Sequence, residues 1–275
     1  DISMSQYRFY KNTWIFLEES QEKPISSKEA CSLLKKRGLM IRNTYDFDTK
    51  EKTLFWFVIK DKLEDISELP SSTRKKIRKA LKIYNIKRIT LDELETIGYE
   101  IVLSAEKSYK NKARQTTPES FKNLINEYKT DNNKECWCVE NKTTGEIVGF
   151  CVNTIKEDSC EYDNAKCKWE SLHDCSQPYY GLFYTMNQYY LGERKLKYVS
   201  DGSRTITEHS KIQDYLTYNF KFRKAYCKLK IYYKWWLSVV IKVLFPFRKL
   251  VPFGNIRAIL RMEEYSRHSQ YNTYQ

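Results

Sequence analysis

The segment from Ser176 to Leu229 limits the fold of this 275-residue chain more than any other part. It opens with Ser176-Gln177-Pro178-Tyr179-Tyr180-Gly181, a Gly-bearing turn that feeds an amphipathic helix. A short strand follows, Lys197-Tyr198-Val199-Ser200-Asp201-Gly202, then a second helix, then Phe222-Arg223-Lys224-Ala225-Tyr226-Cys227-Lys228-Leu229. A strand, a loop and a helix N-terminus in this order bring unpaired backbone N–H groups and the positive end of a helix dipole to one place, which suits a pyrophosphate.

An apolar content of 41% with 15% aromatics is enough to bury a core, as one large domain or two small ones, and excludes a disordered chain. Lys and Arg number 48 against 35 Asp and Glu, for a net charge of +13. From Lys221 to Gln275 there are 12 Lys and Arg and 2 Glu, so +10 of that excess lies there. Such a tail suits an anionic partner, whether a nucleotide cofactor, tRNA or an acidic membrane surface, or it is a solvated basic face. Eight cysteines without a secretory leader pattern read as reduced, mostly buried thiols of a cytoplasmic protein. Cys136 and Cys138 share one face of a strand. With three histidines (His173, His209, His268) and no second Cys pair at finger spacing, no metal is expected.

Ser26-Ser27-Lys28-Glu29 before Ala30, Leu33 and Leu34 marks a helix start, and Thr53 to Ile59 reads as a strand buried on both faces. Pro70-Ser71-Ser72-Thr73 caps the most basic helix, Arg74 to Ile83, with Ile77, Ala80, Leu81 and Tyr84 on one face: a phosphate-facing helix or an ordinary amphipathic surface helix. Beyond the strand Ile86–Ile89, helices are expected from Asp92 to about Lys110 and from Pro118 to about Tyr128. A hairpin of 135–140 and 146–152 turns through Asn141-Lys142-Thr143-Thr144-Gly145, and a further strand covers Ala165 to Glu170. No transmembrane helix and no repeat is expected.

This order of elements over residues 85–233 resembles the GNAT superfamily of acyl-CoA-dependent N-acyltransferases. With Leu69-Pro70-Ser71-Ser72-Thr73-Arg74-Lys75-Lys76-Ile77-Arg78-Lys79-Ala80 upstream, the chain also looks like the Fem-type, GNAT-like acyltransferases of bacteria. The resemblance implies an α/β (α+β) fold: a mixed, mostly antiparallel sheet with splayed central strands and flanking helices. The domains are then an N-terminal α/β extension, 1–84, readable as a partial GNAT-like half; the acyltransferase domain, 85–233; and a basic, apolar tail, 234–275.

In such a fold the strand before the Gly turn and the strand after its helix splay apart, and the cofactor's pantetheine arm adds to the exposed strand edge. The family's Gln/Arg-x-x-Gly-x-Gly/Ala turn is represented by Gln177-Pro178-Tyr179-Tyr180-Gly181, with one extra spacing and a single Gly. By resemblance Gln177, Tyr179, Tyr180, Gly181 and Leu182 hold the cofactor pyrophosphate, and Gln213 faces the cofactor from the last helix. Many members carry a tyrosine five residues before the Phe of a terminal Gly-Phe pair, to protonate the departing thiolate. Here the pair is Lys221-Phe222 and the position is Thr217, with Tyr215 and Tyr218 close by. Amine acylation also needs a base, for which Glu170, raised by burial at a strand end, and His209 are the candidates. Arg204 is placed to meet a phosphate or carboxylate.

The expected activity is transfer of an acyl group, acetyl foremost, from acetyl-CoA or another acyl-CoA to an amine-bearing acceptor. The alternatives are a Fem-type aminoacyltransferase using aminoacyl-tRNA, with helix 74–82 and the tail on the RNA backbone, and a catalytically silent GNAT-like module at a membrane surface. The apolar run Tyr232–Lys249, interrupted by Lys242 and Pro246, is too short to span a bilayer. It reads as an interfacial anchor or as a helix docked on the domain or a dimer seam, so the expected location is cytoplasmic or peripheral to the inner membrane face.

Overall fold

The computed structural model describes residues 7–10, 12–16, 22–107, 115–173, 177–204, 211–252 and 254–271. The chain forms two compact units: residues 1–58, 203–211 and 224–275 make the first, and residues 59–202 and 212–223 the second.

In the first unit β1 (Tyr7–Tyr10) and β2 (Thr13–Phe16) form an antiparallel pair. β2 runs parallel to β3 (Met40–Tyr45), β3 antiparallel to β10 (Arg223–Tyr233), and β4 (Phe55–Lys60) lies beside β10. Helix α1 (Ser27–Lys36) starts at the expected place. The Ser26 hydroxyl accepts from the Glu29 amide at 3.3 Å, and the Glu29 carboxylate accepts from the Ser26 amide at 2.7 Å. Its apolar stripe, Ala30, Leu33 and Leu34, closes a core over Trp14, Phe16 and Ile41.

β4 begins at Phe55, two residues later than expected, and is buried along both faces except at Trp56. Helix α9 (Gly254–Tyr271) lies along β10 and supplies hydroxyl acceptors to it. The Leu229 amide donates to Ser269 Oγ at 3.1 Å and the Ile231 amide to Ser266 Oγ at 3.3 Å, both buried. Arg204 is a structural residue: its guanidinium donates to the Leu54 carbonyl at 2.7 Å and lies between the rings of Trp56 and Tyr265.

In the second unit the strand order is β5 (Tyr84–Ile89), β6 (Lys134–Asn141), β7 (Ile147–Ile155), β8 (Ser159–Cys167), β9 (Tyr198–Ser203). Pairing is antiparallel as far as β8, and β8 runs parallel to β9. Helices α3 (Leu91–Glu106) and α4 (Pro118–Lys129) start on Thr90 and Thr117 capping boxes. They pack Leu94, Ile101, Phe121 and Ile125 against Phe150 and Val152 of β7.

Three local expectations are corrected. Helix α2 (Ser71–Ile83) starts before Arg74, so Thr73 is inside it and fully buried, its hydroxyl donating to Asn219 Oδ1 at 2.8 Å, and Tyr84 begins β5. The strand expected at Ala165–Glu170 ends at Cys167 and is followed by the short helix α5 (Trp169–His173). Gly181 is not in a turn but inside α6 (Pro178–Asn187), which continues as a wide π turn to Glu193. A Cβ on Gly181 would stand 3.3 Å from Ala80 Cβ, so the glycine serves the close crossing of α6 over α2.

The α9 hydroxyls give a direct test. Ser266→Ala with Ser269→Ala leaves two buried β10 amides without acceptors, and denaturant unfolding should show a loss of about 2–6 kcal/mol.

Candidate functional site

The site is built on an interruption in β8. Opposite β7, Val152 pairs with Asn164 but Asn153 pairs with Tyr162, so Asp163 is an extra residue without a partner across the pair. A bulge of this kind bends its strand and sharpens its twist. On the other side β8 and β9 are in register only at Ser159–Tyr198, Cys160–Val199 and Glu161–Ser200. From Tyr162 onward no strand pairs with β8 on that side among the described residues, although β8 continues to Cys167. The parallel strands therefore separate at their C-terminal ends, where the bulge turns β8.

Asp201 stands on β9 at the head of this opening. Burial raises its carboxyl to about 7, an effect the Gln213 side chain opposes through a hydrogen bond and Glu161 reinforces. Gln213, on α7 (Lys211–Phe220), also donates to the Asp201 carbonyl at 3.4 Å. Gly202 takes φ +77°, and a Cβ there would stand 3.1 Å from Glu161 Oε1, so a side chain at this position would crowd the carboxylate. A polar chain runs through the core between β6, β7 and the π turn after α6. Asn153 Nδ2 donates to the Tyr190 hydroxyl at 3.1 Å, Tyr190 donates to Glu135 at 2.9 Å, and Trp137 Nε1 donates to Tyr190 at 2.8 Å. These bonds tie β6 and β7 to the π turn that follows α6.

The other predicted residues divide by location. Tyr180 is buried, and its hydroxyl donates to Asn219 Oδ1 at 3.1 Å while Lys76 donates to it at 3.2 Å. Leu182 is fully buried core. Tyr179 stacks on Phe183, and its hydroxyl reaches the Ala165 carbonyl of β8 at 3.5 Å. Gln177 caps α6 in the left-handed region, φ +49°, and its buried Oε1 accepts no hydrogen bond among the described residues. Tyr215 packs edge-on to Tyr180, and burial raises its phenol well above the ordinary value. Tyr218 is exposed on the outer side of α7, and the Thr217 hydroxyl is bonded to the Gln213 carbonyl at 2.8 Å. His209 lies outside the described residues.

Glu170 is exposed in the first turn of α5 rather than buried at a strand end. Hydrogen bonds from Lys107, at 2.7 Å, and Ser104 pull its carboxyl down to about 2, reversing the expected shift and lowering its basicity near neutral pH. The titrating group that sequence reasoning passed over is Asp201, read there as the close of a strand. Its signal was present: an acid followed by Gly at the C-terminal end of an apolar parallel strand. The thiols of Cys136 and Cys138 are buried, and burial pushes Cys138 up to about 11. Among the described residues no group of three His, Cys, Asp or Glu is arranged to hold a metal.

No protein-family model matches the sequence, and neither does any curated protein. Among solved structures, FemX matches over 80% of this chain and 81% of its own, with a TM-score of 0.53 at 12% identity. L-PGS from Bacillus licheniformis matches over 94% and 84%, with a TM-score of 0.46 at 10% identity. The PaiA N-acetyltransferase from Thermoplasma acidophilum, solved with coenzyme A, matches over 41% and 74%, with a TM-score of 0.31 at 13% identity. The likeness to FemX establishes the fold: the chain has the Fem-type, GNAT-like architecture.

Asp201 sets a pH dependence of stability. Its folded-state value of about 7 lies above the unfolded value of about 3.9, so its protonated form favours the fold. Stability is full below about pH 4 and falls by up to about 4 kcal/mol as pH rises through 7. Asp201→Asn should flatten that decline, so that urea unfolding finds the variant more stable than the parent chain at pH 8 and nearly equal to it at pH 4.

Proposed function

We propose that the protein transfers an acyl group from acyl-CoA, acetyl-CoA foremost, to an amine in the opening between β8 and β9. The observation that carries this reading is the unpaired side of β8 beyond Glu161 with Asp201 at its head. An extended pantetheine arm carries two amides and can add to such an edge as a short strand would, gaining backbone hydrogen bonds. The buried Oε1 of Gln177 and the left-handed backbone at that residue support a ligand at the start of α6.

In this mechanism Asp201 accepts the proton of the incoming ammonium or amine, for which a value near 7 is well matched. The amine nitrogen bonds to the thioester carbonyl carbon, and the carbon–sulfur bond then breaks. Tyr215, kept protonated by burial, is the phenol that α7 offers to the departing thiolate. Gln213 is a positioning residue that holds Asp201 through both its side chain and its carbonyl.

A second donor, aminoacyl-tRNA, is favoured by α2. Lys75, Arg78, Lys79 and Lys82 fall along one exposed stripe of that helix, and none makes an ion pair among the described residues. Such a row suits a phosphate backbone, and its contribution would show as a steep salt dependence.

Acetyl-CoA titrated against the protein should raise its melting temperature saturably, following RT ln(1 + [L]/Kd), and the rise should survive moderate salt. Asp201→Asn should keep that rise while lowering kcat/KM for amine acetylation by about 10²–10⁴-fold. No rise with acetyl-CoA, together with salt-sensitive tRNA binding lost in Arg78→Glu with Lys79→Glu, would transfer the donor to aminoacyl-tRNA.

A further inference from the structure

Helix α8 (Trp235–Leu244) is apolar on both sides. Inward, Ile241 is 3% exposed and belongs to the core of the first unit. Outward, Trp235, Val239 and Val243 recur at every fourth residue and are 81%, 55% and 62% exposed. The turn after the helix continues the stripe with Phe247 and Leu250, 59% and 79% exposed. A helix whose inner face already meets the core needs no apolar outer face, and a contiguous patch of this kind marks an interaction surface.

Charge identifies the occupant. The stretch from Trp235 to Leu250 contains no Asp or Glu, while Lys234 precedes the helix, Lys242 is exposed on it and Lys249 is exposed in the turn after it. Where the turn passes to α9, Arg248, Lys249, Arg257 and Arg261 line a pocket of about 280 Å³ that holds one acid, Glu264, already bonded to Arg248 at 2.9 Å. The basic pocket and the apolar stripe adjoin through the consecutive residues Phe247, Arg248 and Lys249. An apolar stripe ending in tryptophan, rimmed by cations and joined to an anion-sized basic pocket, matches the layered chemistry of a phospholipid surface: acyl chains, then the interface, then phosphate. At ten residues α8 is about 15 Å long, half the thickness of a hydrocarbon core and too short to span one, and among the described residues no helix is long and apolar enough to cross a membrane.

We propose that α8 and the turn after it dock the protein on an anionic phospholipid bilayer, with a headgroup phosphate entering the pocket between that turn and α9. This inference is independent of the catalytic reading, since it rests on residues that the active site does not use.

The test is co-sedimentation of the full chain with phosphatidylcholine vesicles carrying about 30% phosphatidylglycerol, against phosphatidylcholine alone. Saturable binding to the anionic vesicles is expected, with a blue shift of tryptophan emission and a weaker association at about 0.5 M salt. Val239→Glu with Val243→Glu should lower the partition coefficient about tenfold or more while circular dichroism and melting temperature stay unchanged, because both side chains face solvent. Lys249→Glu with Arg257→Glu should remove the preference for anionic over neutral vesicles. The proposal is overturned if anionic vesicles are not bound, or if the valine substitutions leave binding within about twofold. Concentration-dependent dimerisation that the valine substitutions abolish, without vesicle binding, would assign the face to a second copy of the chain.

Discussion

The extra residue in β8 is the constraint on which the second unit depends. Asp163 has no place in the ladder with β7, so β8 bends there, and its parallel pairing with β9 stops two residues earlier, at Glu161. Without the bulge the two strands would remain in register and the opening would close as ordinary sheet. Because it exists, six residues of β8 run on without a parallel neighbour, and a carboxyl on β9 is left in a space too dry to ionise easily. The same interruption thus leaves an unpaired strand edge beside a raised carboxyl.

The supports of that opening are bonded in ways that pairwise patterns do not reveal. Asn219 accepts from Thr73 and Tyr180 and donates to the Tyr215 carbonyl, so α2, α6 and α7 share one buried amide. Gly181 permits α6 to approach Ala80, which brings Tyr180 and its neighbours into the aromatic cluster with Phe183, Tyr215 and Phe220. The side chains of Tyr180 and Leu182 are therefore committed to packing, so phosphate binding there would fall to the backbone N–H groups. The proposed ligand contacts of this region are Gln177, Gln213, Asp201 and the Tyr215 hydroxyl.

Local signals in the sequence were legible wherever chemistry is local. Ser26 with Glu29 starts a helix as read, the helices expected from Asp92 and Pro118 begin at Leu91 and Pro118, and the Asn141–Gly145 turn joins two strands as its residues require. The Fem-type, GNAT-like fold was legible from the order of these elements. The environment of individual side chains was not. Glu170 was expected to be raised by burial and is lowered, because Lys107, far away in sequence, folds back onto it. Asp201 offered no unusual spacing; its shift comes from the splay, which needs the tertiary path of β8. The start of α2 was missed because Thr73 looks like a cap in sequence, yet its hydroxyl is used in the core.

A structure solved with coenzyme A bound would test the central claim most directly. The expected result is an extended pantetheine arm beside residues 162–167 of β8, with its sulfur toward Asp201 and Tyr215. Coenzyme A bound elsewhere on the protein, with the opening between β8 and β9 empty at saturating ligand, would contradict it.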